Sequence, residues 1–376
     1  MLKIWAGCSL PGWWRLLARN RFRVAPQHIP EALLYTLTSA YHSLLSGLQG
    51  FLVGPKIAAV RIDPPPVFII GHWRTGTTLL HILLGLDKQF TYPTTSQCLN
   101  PSHLHLRGYV ERWIMRRNIP GRRPMDSMAM SGDSPQEDEF ALCLLGAPSP
   151  YQKLAFPNHP LPDPQSWEVE DLPPRLLTRW KELFTYFLKQ VLFRRGGRLE
   201  LKSPPHTCRV KVLSELFPGA RFITMVRSPY AVIPSTINLW KTLYQSQSLQ
   251  RPSWAGLEDA VFETFNLFYE RLEQSRWLVP GERFCEVRFE DLAADPLGRM
   301  RSVYEHLGLG DFGRLRPALE GYLASHPHYR GRPWELSPAL RRRITEECRP
   351  YLERYGYLHV PAVGGFEEED VVARGG

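Results

Sequence analysis

The feature that most constrains this chain is a strand-loop-helix signature between residues 63 and 78. Asp63-Pro64-Pro65-Pro66 cannot continue a helix, and the apolar run Val67-Phe68-Ile69-Ile70 follows it. The loop 71–78, Gly-His-Trp-Arg-Thr-Gly-Thr-Thr, then opens a helical pattern at Thr77 and Thr78. A short buried strand, a glycine-containing loop and a helix N-terminus gather backbone N–H groups around one point, which makes an anion site. Gly76 lets the backbone approach a ligand, Thr77 and Thr78 offer hydroxyls, and Arg74 supplies a planar cation suited to phosphate or sulfate oxygens. Both glycines keep the Walker A spacing, but Thr77 stands where that motif has its lysine. A nucleoside triphosphatase needs that lysine on the terminal phosphates, so the loop favours a smaller 5′ group. A turn of this kind also occurs as plain α/β architecture, so the loop alone leaves the function open.

From this point short apolar runs alternate with helical patterns: 67–70 then 77–86, 198–202 then 207–217, 220–226 then 229–240, and 283–289 then 296–307. The alternation predicts an α/β fold with a P-loop-like central parallel sheet flanked by helices. Three units are expected: an N-terminal helical extension over 1–62, the main domain over 63–360, and a disordered acidic tail over 361–376. The proline-rich stretch 148–174 reads as a long ordered excursion or lid.

The extension needs separate treatment. Between Glu31 and Lys56 there is no Asp, Glu, Lys or Arg, a length that matches a bilayer crossing. However, Leu33, Leu37, Tyr41, Leu44, Leu45, Leu48 and Leu52 recur at helical spacing, with Thr38, His42, Ser43, Ser46 and Gln49 between them. The segment therefore reads as an amphipathic helix packed on the domain or on a partner subunit. With Trp13, Trp14, Arg15, Arg19, Arg21 and Arg23 upstream, peripheral membrane contact through residues 11–54 is the alternative. Pro11, Gly12 and Arg15 interrupt the apolar start, so no cleaved signal peptide is expected.

The net charge of +9 suits an anionic ligand without choosing one. Six scattered cysteines form no CxxC pair, which points to a reducing compartment rather than a zinc ribbon or disulfide framework. His103-x-His105 and His326-x-His328 are the only tight histidine pairs, with no carboxylate or cysteine in register, so no metal is expected.

A second anchor follows the run 221–226. Arg227 ends it, and Ser235 lies eight residues on at the start of a helix, a pair able to clamp a second phosphate. With VFIIGHWRTGTTLLHILLGLD, SPQEDEFALCLLGAPSPY, LKSPPHT, ARFITMVRSPYAVIPSTINLW and CEVRFEDLAADP in that order, the chain resembles the superfamily of sulfotransferases that use 3′-phosphoadenylyl sulfate (PAPS), in its bacterial-type branch. The resemblance spans about residues 65–357.

It implies that Arg74, Thr75, Gly76, Thr77 and Thr78 hold the 5′-phosphosulfate and that Arg227 and Ser235 hold the 3′-phosphate. It loosely implies a closing basic loop at Tyr329, Arg330 and Arg332. Arg74 and Lys202 are expected to stabilise the leaving group, since a lysine in a turn like Lys202-Ser203-Pro204-Pro205 recurs near the sulfonate in related enzymes. Arg288, Glu290 and Asp291 are expected to form a structural corner near the nucleotide edge.

The base does not transfer. Cytosolic members have a histidine where this chain has Pro204, and carbohydrate-type members often have a glutamate at the register of Ile82. Glu137 in the cluster Glu137-Asp138-Glu139, His206 and His81 remain as candidates, in that order.

The expectation is a cytoplasmic enzyme, peripheral at most to the inner face of a membrane. It would use PAPS as co-substrate on a small-molecule, carbohydrate or lipid acceptor, without nucleic acid, as a monomer or homodimer. A P-loop kinase-like enzyme and a non-catalytic membrane-associated nucleotide-binding protein are the competing readings.

Overall fold

The structure, a computed structural model, describes residues 3–106, 121, 131–326 and 335–358. Five parallel strands form one sheet: β1 (Val67–Ile70), β2 (Phe90–Thr91), β3 (Arg198–Lys202), β4 (Arg221–Val226) and β5 (Phe284–Arg288), in the order β2-β3-β1-β4-β5. The four residues of β1 are fully buried, as expected of a central parallel strand covered on both faces. β2 has only two residues, too short to carry an alternating or apolar signal.

The helices that matter for the site are α1 (Leu10–Arg19), α2 (Ile29–Ala58), α3 (Thr77–Leu84), α4 (Asp138–Leu145), α5 (Pro174–Leu192), α6 (Pro229–Gln247) and α7 (Leu257–Ser275). Two cores flank the sheet: one joins Phe68 and Ile70 to Trp180, Phe184 and Phe268, and the other joins Ile69 to Leu80, Leu83 and Val303. Because the strands are parallel, the loops after β1, β3, β4 and β5 emerge at one edge, where open α/β sheets bind ligands.

Residues 3–58 share the larger core through Trp5, Trp13, Leu16 and Tyr35, and Trp5 Nε1 donates to the Gln247 carbonyl at 2.6 Å. The helix predicted over 31–56 is present as α2, but its orientation departs from the usual rule that an amphipathic helix turns its apolar side inward. Ser39, His42 and Gln49 face the body, while Leu37, Leu44 and Phe51 face outward. The reason is a set of specific polar partners: His42 meets His103 at 2.8 Å, and Gln49 donates to Gln190 Oε1 at 2.7 Å and accepts from His105 N at 2.8 Å. Among the described residues no helix is long and apolar enough to cross a membrane.

The stretch 148–174 is ordered as three short 3-10 turns, at Pro150–Leu154, Pro164–Ser166 and Val169–Asp171. Tyr151, Leu154, Phe156 and Val169 are buried there, so it is packed into the body of the protein. The acidic tail over 361–376 lies outside the described residues.

Candidate functional site

Gly76 has φ +97°, and a Cβ there would come within 2.4 Å of the Phe289 ring, so backbone geometry and space both demand glycine. Arg74 is also left-handed, with φ +70°. Its Nε donates to Ser235 Oγ on α6 at 2.8 Å. Thr75 is fully buried, and its hydroxyl donates to the His72 carbonyl at 2.7 Å, which staples the loop. Thr77 and Thr78 open α3 directly after Gly76, and no side chain caps that helix. Its first N–H groups are therefore presented to whatever the loop holds.

Arg227 joins the same cluster. Its Nη1 donates to the Arg74 carbonyl at 3.0 Å, and its guanidinium lies 4.0 Å from the centre of the Phe289 ring. Tyr351 holds the Arg227 backbone on both sides: its hydroxyl accepts from Arg227 N and donates to Arg227 O, each at 3.0 Å. The loop after β1 and the Arg/Ser pair after β4 thus form one cationic cradle with two guanidiniums and a hydroxyl. Such a group favours an anion richer in charge than a single phosphate.

Opposite the loop, three consecutive acids at the start of α4 each meet a different partner from the segment after β3. Lys202 Nζ donates to Glu137 Oε1 at 2.6 Å, and both groups are almost wholly buried. His206 Nε2 lies 2.7 Å from Asp138 Oδ2, and Ser203 Oγ donates to Asp138 Oδ1 at 3.0 Å. Burial would raise the Asp138 pKa, but His206 and Ser203 outweigh it and hold the carboxyl below its ordinary value. Arg209 donates from Nη1 to Glu139 Oε2 at 2.6 Å and from Nη2 to Glu139 Oε1 at 3.3 Å, both side chains being fully buried.

Glu137 is also tied to the anion loop. Its other oxygen, Oε2, accepts from the Tyr151 hydroxyl, and that hydroxyl accepts from Trp73 Nε1 at 3.1 Å. Lys202 pairs in register with Ile69, two residues before the loop begins. The carboxylate therefore stands between a strand-end lysine and a tyrosine fixed by the residue before Arg74.

The family model described as Sulfotransferase family matches residues 65–312. The chain belongs to that family. It is 44% identical over 370 residues to the omega-hydroxy-beta-dihydromenaquinone-9 sulfotransferase Stf3 of Mycobacterium bovis, covering 96% of this chain and 95% of the relative. The Mycobacterium tuberculosis protein of the same name matches equally, at 44% over 370 residues. Among solved structures, the sulfotransferase STF9 from Mycobacterium avium superposes with a TM-score of 0.68 at 20% identity, covering 91% of each chain. The sulfotransferase STF1 from Mycobacterium tuberculosis gives 0.62 at 20% identity, covering 85% of this chain and 88% of that one. Both share the α/β fold.

As a sulfotransferase, the chain performs PAPS-type sulfuryl transfer to an acceptor. This family membership replaces the kinase-like and non-catalytic readings. The other expected residues of the sulfotransferase separate clearly by position. His206 is fully buried, with its ring edge-on to Phe68 and tilted against Phe184, which leaves it facing Asp138 and the core. His81 is fully buried on α3, 3.9 Å from Glu200, and neither ring nitrogen has a hydrogen-bond partner. Burial, and then the nearby Lys202 charge, lower the His81 pKa well below its ordinary value, so the ring is neutral. Neither histidine has any exposed surface, whereas Glu137 keeps a small exposed edge.

Arg330, Arg332 and Tyr329 lie outside the described residues. In the corner after β5, Glu290 accepts from Ser228 N at 3.2 Å and from the Tyr357 hydroxyl at 2.8 Å, while Arg299 pairs with Asp291 at 3.2 Å. Arg288 lies over the Tyr357 ring at 4.6 Å. Tyr151, which the sequence offers only as an aromatic that permits an apolar acceptor or packs the lid, and Trp73, Phe289 and Tyr351 are not legible from sequence as contacts of the catalytic and anion-binding groups. The run Ala147-Pro148-Ser149-Pro150-Tyr151, so soon after the acidic triplet, was the available signal for the first of them.

Proposed function

We propose that this sulfotransferase acts on a hydroxyl carried by a long apolar lipid of the quinone class, with Glu137 as general base and no metal. The observation that carries the base assignment is the chain of contacts from Lys202 to Glu137 to Tyr151 to Trp73. The acceptor class rests on the 44% identity, over nearly the whole of both chains, to the omega-hydroxy-beta-dihydromenaquinone-9 sulfotransferases. A lipid-linked hydroxyl also brings the reaction to a membrane surface, with the enzyme attached peripherally.

PAPS supplies an activated sulfuryl group whose leaving group is adenosine 3′,5′-bisphosphate. As the acceptor oxygen bonds to sulfur, the bond from sulfur to the phosphate oxygen breaks. Its electron pair leaves with the phosphate, and the acceptor proton passes to a Glu137 carboxylate oxygen. Gly76, Thr77 and Thr78 present N–H groups and hydroxyls to the 5′ group. Arg74 and Lys202 offset the charge that grows on it, the work a divalent cation does in triphosphate enzymes. Arg227 and Ser235 hold the 3′-phosphate, and Thr75 keeps the loop in shape.

Calorimetry with adenosine 3′,5′-bisphosphate tests the nucleotide half. Binding is expected without Mg²⁺, and Arg227→Ala should weaken it roughly 100-fold, in line with a charge-assisted bond worth about 1.5–3 kcal/mol. Ser235→Ala should weaken it less. AMP binding as tightly as the bisphosphate, or a strict need for Mg²⁺, overturns the assignment. The base half is tested by Tyr151→Phe, which removes one donor to Glu137. It should lower kcat by about ten- to a hundredfold while leaving bisphosphate affinity unchanged; an unchanged kcat removes Tyr151 from the site.

A further inference from the structure

Helix α2 covers the body with its polar side and leaves its apolar side outward. Leu33, Leu37, Leu44 and Phe51 are 63%, 71%, 73% and 84% exposed. They belong to a stripe that also takes in Tyr41, Leu48 and Leu52 and runs about 30 Å along the helix at 1.5 Å per residue. A continuous apolar surface of this length marks an interaction site.

The charges around the stripe indicate what covers it. No Asp, Glu, Lys or Arg occurs between Glu31 and Lys56, whereas Arg21 and Arg23 precede the helix and Lys56 and Arg61 mark its far end, all four exposed. Trp14 and Phe22 are exposed too, as an edge-to-face pair with centroids 5.3 Å apart. They stand on α1 and the turn after it, and α1 is fastened to α2 by Trp13 Nε1 donating to Thr36 Oγ1 at 2.9 Å.

We propose that this face lies in the plane of an anionic lipid surface. The leucine stripe enters the acyl boundary, Trp14 and Phe22 sit at headgroup depth, and Arg21, Arg23, Lys56 and Arg61 meet lipid phosphates. Charge complementarity selects lipid over a second copy of the chain. Arg21, Arg23, Lys56 and Arg61 outnumber the nearby acids Glu31, which is paired with Lys3, and Asp63, so two copies burying this stripe would bring net positive ends together. The inference deepens the lipid-acceptor reading and rests on it for its purpose: docking holds the anion loop near an acceptor that does not leave the membrane.

Flotation of the full chain with vesicles of phosphatidylglycerol and phosphatidylcholine tests it, with pure phosphatidylcholine as comparison. The parent should float with anionic vesicles, more weakly with neutral ones and less at high salt. Leu37→Glu/Leu44→Glu should lower binding at least about tenfold, with unchanged thermal midpoint and bisphosphate affinity; Phe51→Ser repeats the test at the other end of the stripe. The proposal is overturned if the variants float like the parent, or if the parent stays in the aqueous fraction. It is also overturned if the parent is a dimer that the double variant converts to monomer. Turnover of a short-chain, water-soluble hydroxylated quinone separates the two readings. Equal rates in parent and double variant fit lipid docking, whereas no product from either, with vesicle binding intact, sinks the acceptor class alone.

Discussion

Glu137→Gln is expected to lower kcat by about a thousandfold, within the 10²–10⁴ range for losing a positioned base. The amide still offers Lys202 an acceptor oxygen where Oε1 stands and keeps the shape of the side chain, so the lysine and the loop should stay in place. Affinity for adenosine 3′,5′-bisphosphate should therefore be unchanged, and single-turnover kinetics with labelled PAPS should show the loss in the chemical step. Lys202→Ala should also lower kcat, but it leaves Glu137 buried beside no cation, so it tests leaving-group stabilisation and base geometry together. A Glu137→Gln enzyme that retains more than a tenth of parental kcat would remove Glu137 as the base.

The largest stability effect is expected one residue pair away from the chemistry. Glu139→Ala should cost about 3–5 kcal/mol in urea unfolding, because it strands the fully buried Arg209 guanidinium. Arg209 keeps bonds to the Ser166 and Trp167 carbonyls and its place over the Trp180 ring, but none of these carries a negative charge. Replacing both partners, as Glu139→Leu with Arg209→Met, should recover most of the loss, since a well-packed apolar pair has no charge to desolvate. By contrast, the exposed Arg349–Glu353 pair, 3.8 Å apart, should contribute at most about 1 kcal/mol. A loss under 1 kcal/mol for Glu139→Ala would mean that Arg209 reaches water when unpaired.

Local chemistry made the frame readable from sequence. The predicted bounds 198–202 and 296–307 are those of the structure: Gly197 and the Ser203-Pro204-Pro205 turn bracket the first, and capping Asp295 and Gly308 bracket the second. The anion loop was legible for the same reason: its glycine spacing is a backbone requirement, realised at Gly76. What was not legible depends on partners far along the chain. The inward face of α2 is set by Gln190 and His103, so the hydrophobic pattern of 31–56 indicated a helix without its orientation. The candidates Glu137, His206 and His81 could not be separated while the 65-residue link from Lys202 to Glu137 was unseen. In three dimensions one histidine is spent on Asp138 and the other is buried on α3 beside Glu200. The bridging role of Tyr151 depended on Trp73, 78 positions earlier.

The three acids and their three partners also behave as a keyed joint. Glu137, Asp138 and Glu139 engage Lys202, His206 and Arg209 in order, so a one-residue slip of the acids would set Asp138 and Glu139 against their neighbours' counterparts, and a slip of the partners would replace the three by Ser203, Thr207 and Val210. Point changes at the joint can be matched one for one, but a length change on one side cannot be absorbed without rewriting the other. The two segments should therefore be inherited as a linked block. A chimera that borrows 137–151 from a relative with a different acceptor should fold only when it takes 202–209 from the same parent.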